Sequence, residues 1–159
     1  MDGKLREFIV TFLLSFLPIS EVRGAIPYGF KQDLPLLGIL IVSIVGNFLP
    51  VIPVYLGIQQ FARVLSRNRL AKRFFDRVFE RARRKAKGIE YSEFFGLAIF
   101  VGIPLPMTGA WTGAIIGSLL GIPPKRAIPA IFLGILIAAA VVTAVCLGAI
   151  SAFNFFIKR

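Results

Sequence analysis

The sequence predicts an all-α integral membrane protein, and three observations predict it. The first is composition: 57% of the 159 residues are hydrophobic and the mean hydropathy is +0.80. Ordinary globular chains are roughly 45–50% apolar, and a soluble core of this length cannot hide the excess. The second is a pair of apolar runs, 34–61 and 127–157, with no charged residue at all. Each is longer than the roughly 20 helical residues that cross a hydrocarbon core of about 30 Å. The third is that two further apolar regions, 8–30 and 91–121, are interrupted near their centres by proline and, in the first, by charge. The expected architecture is therefore two inverted repeats in one membrane domain over 1–159. Each repeat (1–61 and 91–159) is a re-entrant helical hairpin followed by a transmembrane helix, and a basic amphipathic cytoplasmic helix over 62–90 joins them.

In the first region Pro18 and Pro27 bracket Ser20, Glu21, Arg23 and Gly24. Proline removes an amide donor and collides with the preceding turn. A charge at the bilayer centre costs about 3 kcal/mol or more, so such groups face protein or a wet cavity and usually pair. Non-helical backbone at depth is tolerated under the same condition. The resulting expectation is a helix to about Leu17, a turn through Pro18–Glu21, and a second helix to about Phe30. Lys4 and Arg6 ahead of the apolar run imitate a signal peptide, but Ser-Glu-Val-Arg stands where small neutral cleavage residues belong.

The second region is one span in which Asn47 is an uncharged polar residue well inside, expected to hydrogen-bond between helices ahead of contacting substrate, and Pro50 and Pro53 loosen the helix beyond it. The segment that follows holds 11 of the 19 basic residues between Arg63 and Lys87. Its apolar residues recur at spacings of three and four, the pattern of an interfacial helix on anionic headgroups or of a helix packed on the bundle. Positive residues beside spans favour the cytoplasm. In the third region Gly102-Ile-Pro-Leu-Pro-Met-Thr-Gly109 cannot continue a helix, because Pro104 and Pro106 sit two apart between glycines. Gly109, Gly113, Gly117 and Gly121 then fall on one helical face, expected to serve close backbone packing. The fourth region is an uninterrupted span.

The halves share a plan and a motif. Arg23-Gly-Ala-Ile26 with Pro35, and Thr112-Gly-Ala-Ile115 with Pro124, match at a constant offset of 89. Duplicated halves are common in secondary transporters, whose sites lie at the repeat interface near the midplane. Opposed hairpins would bring Pro18–Pro27 against Pro104–Thr112, with helix N-termini offering unpaired amides to anions. Thr108, Trp111, Thr112, Asn47 and Tyr28 are the polar side chains expected to add contacts. If all four regions spanned instead, both termini would be cytoplasmic; the buried charges and doubled prolines favour the re-entrant arrangement.

Chemistry other than this is poorly served. With one cysteine, Cys146, inside an apolar run and no histidine, zinc, disulfide and His-based catalysis have no donors. No second carboxylate at depth accompanies Glu21, which argues against an intramembrane enzyme. No cofactor is expected. The net charge of +11 is concentrated in one membrane-flanking loop, which argues against nucleic acid.

Pro18-Ile-Ser-Glu-Val-Arg-Gly-Ala-Ile-Pro27 and Pro104-Leu-Pro-Met-Thr-Gly-Ala-Trp-Thr-Gly113 resemble the two signature stretches of the small multidrug export protein family, a distant relative of the DedA and SNARE-associated Golgi protein (VTT domain) superfamily. Met107 departs from that pattern, where glycine is more usual. The resemblance implies two opposed re-entrant hairpins in the cell membrane and relatives that move or scramble amphipathic lipids, with an acid and an arginine coupling transport to protons. Those roles fall on Glu21 and Arg23. Three functions follow as expectations: a proton-coupled translocase for an anionic amphipath such as a polyprenyl phosphate or phospholipid, a small exporter of lipophilic cations, or a lipid scramblase or membrane-shaping scaffold. A chain this small is also expected to pair with a second copy.

Overall fold

A computed structural model describes residues 2–65, 90–105 and 108–157, all of whose regular elements are helical. The basic amphipathic helix expected over 62–90, Pro106 and Met107 lie almost wholly outside the described residues. Among the described residues seven helices run in order: α1 (Asp2–Phe16), α2 (Glu21–Lys31), α3 (Leu36–Phe48), α4 (Val51–Leu65), α5 (Glu90–Gly102), α6 (Ala110–Leu119) and α7 (Pro124–Ile157).

The breaks fall where the sequence places them. α1 stops at Phe16, two residues before Pro18, and α5 stops at Gly102, two before Pro104, since the residue preceding proline is pushed out of the helical region. α1 begins earlier than the apolar run, so the polar residues from Asp2 to Glu7 form its first turns. α3 and α4 follow one another through Leu49–Pro50 with the ladder nearly unbroken: Leu49 donates to Val45 O at 3.0 Å and Val54 to Pro50 O at 3.0 Å. Among the described residues, Leu36–Phe61 and Pro124–Ala152 are the two helical stretches long and apolar enough to cross a membrane, with hydropathies of 2.3 and 2.8.

Glycines report how the helices align, because side chains enter the space a Cβ would fill. Gly38 faces Phe8, and Gly46 faces Phe12 and Ser15, so α1 and α3 run parallel. Gly29 faces Ile39, so α2 returns antiparallel to α3. In the second half Gly113 lies against Val101 and Ile131, and Gly117 against Leu97 and Ala127. α6 is thus antiparallel to both α5 and α7, which run parallel to each other. The glycine face of α6 is a packing face, as expected from its spacing.

Each helix pair joins its long helix through the same turn. Leu34 donates to Gly29 O at 3.2 Å and Asp33 to Phe30 O at 3.1 Å; Ile122 donates to Gly117 O at 3.1 Å and Gly121 to Ser118 O at 3.1 Å. Asp33 (φ 51) and Gly121 (φ 71) are the left-handed residues of the two turns, and buried Leu34 and Ile122 close them, the features of a Schellman C-cap. These turns correspond at an offset of 88, one residue less than the motif offset. Across the halves, α2 packs on α7 and α6 on α4. The core lies between them, where Val22, Ile26, Ile39, Tyr55, Val101, Ile131 and Ile135 are fully buried.

Candidate functional site

The two breaks meet, and Glu21 is where they do so. It is the first residue of α2 and holds a left-handed backbone, φ 51, a conformation that costs a non-glycine residue about 1–3 kcal/mol and persists only where its surroundings enforce it. Ser20 before it makes no side-chain cap. The carboxylate of Glu21 leaves its own helix and caps another. It accepts from the backbone amides of Ala110 and Trp111, the latter at 3.4 Å. Those amides open α6, whose first turn has no intrahelical acceptors and carries the positive end of the helix dipole. Gly109 makes the approach possible, since a Cβ there would overlap the carboxylate.

Arg23 performs the complementary task at the end of α5. Its Nη1 donates to Leu105 O, and its Nη2 to Ile103 O at 3.3 Å and to Thr108 Oγ1 at 3.2 Å. The same threonine hydroxyl lies 2.8 Å from both carbonyls. A broken helix leaves carbonyls unpaired, and a guanidinium carries five donors in a fixed fork. Arg23 Nη2 is also 4.0 Å from Glu21 Oε2, with the side chains 19% and 5% exposed. The pair is therefore mostly buried and mutually neutralising, yet each member's hydrogen bonds go to the second break. Nε of Arg23 is buried without a partner among the described residues. A third link runs the other way: Trp111 Nε1 donates to Phe16 O at 3.0 Å, at the end of α1, and its ring meets Phe16 edge-on at 6.2 Å.

Of the residues singled out from sequence, Glu21, Arg23, Thr108, Gly109 and Trp111 come together. Thr112 follows Trp111 on α6, half-buried. Gly24 packs against Ser20, whose Oγ a Cβ at Gly24 would strike. Pro18, Pro27 and Pro104 are exposed; they shape the breaks and do not line the polar centre, because proline has no donor to offer there. Tyr28 departs from expectation. It lies near the far end of α2, where its hydroxyl donates to Glu7 Oε2, two turns from Glu21 in a helix that advances about 5.4 Å per turn. Asn47 is buried, and its Oδ1 has no hydrogen-bond partner among the described residues.

Sequence reasoning missed the carbonyls of Ile103, Leu105 and Phe16 and the amides of Ala110 and Trp111. A usable signal existed: an arginine in an apolar run must find acceptors, and a Pro-x-Pro break strands several. Among the described residues no group of three His, Cys, Asp or Glu side chains could hold a metal.

Residues 21–141 match the model of the family described as "Putative small multi-drug export protein". The chain belongs to that family. The match starts at Glu21 and covers both helix N-termini at the break contact, stopping midway along α7. No curated protein matches the chain, and no solved structure does. Family membership and the two long apolar helices together make this a membrane protein.

Proposed function

We propose that the protein is a membrane transporter of two inverted repeats, each a re-entrant hairpin plus a transmembrane helix, moving an anionic amphipathic substrate under proton coupling. The family's description as an export protein supports transport over enzymatic work. Helix alignment supports the architecture. Gly46, facing the end of α1, and Gly134, facing Val101 near the end of α5, both lie near the middles of the Leu36–Phe61 and Pro124–Ala152 stretches. The first hairpin opens at the start of the former stretch, where Gly29 meets Ile39, and the second toward its end, where Gly117 meets Tyr55. With 15 and 11 residues, α1 and α2 reach about 22 and 16 Å, short of a crossing.

One observation carries the mechanism: the Glu21 carboxylate stands on the first amides of α6, where an anionic head group would stand. In this reading the carboxylate is a tethered occupant. Protonation removes its charge, weakens its hold on the amides and loosens Arg23, and an anionic head group takes the vacated donors while its tail remains in lipid. The exposed tip beside the pair, with Ile19 97% exposed, gives that tail an apolar neighbour.

The test is uptake into proteoliposomes under an imposed proton gradient, with farnesyl phosphate as the anionic probe and a quaternary ammonium dye as the cationic one. Gradient-dependent movement of the phosphate, lost in Glu21→Gln and Arg23→Ala proteins that still insert, is the expected result. Full activity in both variants defeats it. Movement of the dye instead, increased in Arg23→Ala, assigns the protein to cation export, and equilibration without a gradient assigns it to scrambling.

A further inference from the structure

α3 carries two buried polar side chains whose oxygens have no partner among the described residues: Ser43 Oγ and Asn47 Oδ1. Ser43 is 0% and Asn47 1% exposed. An amide buried in this way forfeits about 1–3 kcal/mol if nothing ever satisfies it, so its surroundings are informative. The contact of Gly29 with Ile39 fixes the antiparallel register of α2 and α3. Moving eight residues along each helix, about 12 Å at 1.5 Å per residue, brings Glu21 level with Asn47, after Ala25 and Ser43 have come level at the halfway point. Both of these are fully buried.

The other polar side chain beside the Glu21–Arg23 pair, Thr108, is engaged with Arg23 and with the Ile103 and Leu105 carbonyls. α7 presents Ile131, Gly134, Ile135 and Ala138 on its buried face. Ser15 on α1 is committed to Phe12 O at 2.7 Å, and Trp111 donates its Nε1 to Phe16 O. Charged groups are sparse on the elements around Glu21. Arg23 is on its own helix at 4.0 Å; α3 and α6 carry none. The charges of α1 lie no further along than Glu7, which sits with Tyr28, and those of α7 are Lys125 and Arg126 at its start.

We propose that Asn47 is the positioning residue for the protonated form of Glu21, its Oδ1 accepting the carboxyl O–H. The chemistry is complementary. The ionised carboxylate only accepts, and it finds donors in the α6 amides; the neutral acid gains one donor, which those amides cannot receive. A side chain that can only accept at Oδ1, dry and level with Glu21, meets that need. Asn47 thereby gives the neutral state a defined geometry, with the carboxyl turned from α6 toward α3, so that protonation moves the group and does not merely discharge it. This inference rests on the proton-carrying role proposed for Glu21.

The test reads the carboxyl directly. Infrared difference spectra of the purified full-length protein in liposomes, titrated between about pH 4 and 9, contain a protonated-carboxyl band assigned to Glu21 by its loss in Glu21→Gln. Replacing Asn47 by Leu, or by Ala should the larger side chain prevent folding, removes the acceptor. Loss of one hydrogen bond to the neutral form moves the band's pH midpoint down by about one unit and shifts its frequency up, as for a free carboxyl. Ser43→Ala, one turn away, leaves both unchanged. An unmoved midpoint in the Asn47 variants, a midpoint moved up because the amide serves the anion as donor, or no Glu21 band in this range each overturns the proposal. The outcome is separable from transport: a shifted band together with full proton-driven uptake in Glu21→Gln keeps Asn47 and discards the coupling role.

Discussion

The two helix breaks solve one problem in opposite ways. The first, between Phe16 and Glu21, is short and brings charge: its turn is followed within three residues by Glu21 and Arg23. The second, from Ile103 to Gly109, is longer and carries no charged residue, but leaves carbonyls and amides stranded on both sides. Each is incomplete alone. The carboxylate of the first caps the helix that leaves the second, its guanidinium caps the chain that enters it, and the indole of the second returns a hydrogen bond to the first. Buried backbone groups left unpaired are costly, so the charges that look misplaced in a hydrophobic run are the means by which an uncharged break is tolerated. Asymmetry between the two breaks is then a requirement: two charged breaks would oppose like groups at their contact, and two uncharged ones would leave backbone unpaired.

This comparison is broken most severely at Gly109. Gly109→Val places carbon where the Glu21 carboxylate stands, and with the tip of the charged break expelled we expect little or no folded protein by size exclusion in detergent. Next comes Arg23→Ala, which takes one donor from each of the Ile103 and Leu105 carbonyls and removes the cation beside Glu21. Removing one member of a buried pair costs about 3 kcal/mol or more, measurable as a fall in denaturant midpoint; Arg23→Lys should recover only part of it, because an ammonium lacks the fork geometry. Trp111→Phe keeps the ring against Phe16 and removes one donor, for about 1 kcal/mol. The smallest effect belongs to Thr108→Val, which loses one of the acceptors shared by Arg23 while the two carbonyls remain, within about 1 kcal/mol. A ranking that placed Thr108 above Arg23 would show that the second break holds itself.

Much of this was legible in the residues. Proline and charge locate both breaks to within a few positions, because the rules that end a helix are local. The spacing of Gly109, Gly113 and Gly117 announces a packing face for the same reason. What could not be read is the partner of each polar group. Nothing in the sequence says that Glu21 caps a helix starting ninety residues later, or that Tyr28, seven residues on, turns to Glu7 instead; those are outcomes of helix register, which depends on the whole packing. The Schellman turns at Asp33 and Gly121 fall between. Gly121 is an obvious candidate, but Asp33 in a left-handed conformation becomes evident only beside its counterpart.

The central claim is that the contact between the breaks sits at mid-depth in the bilayer, and the protein contains its own probe, because Trp111 is its one tryptophan. Its emission can be quenched in liposomes of lipids brominated either near the chain terminus or near the headgroup. Stronger quenching by the chain-terminal bromines is the result this account predicts. Stronger quenching by the headgroup-proximal bromines would place Trp111 at the interface and contradict it.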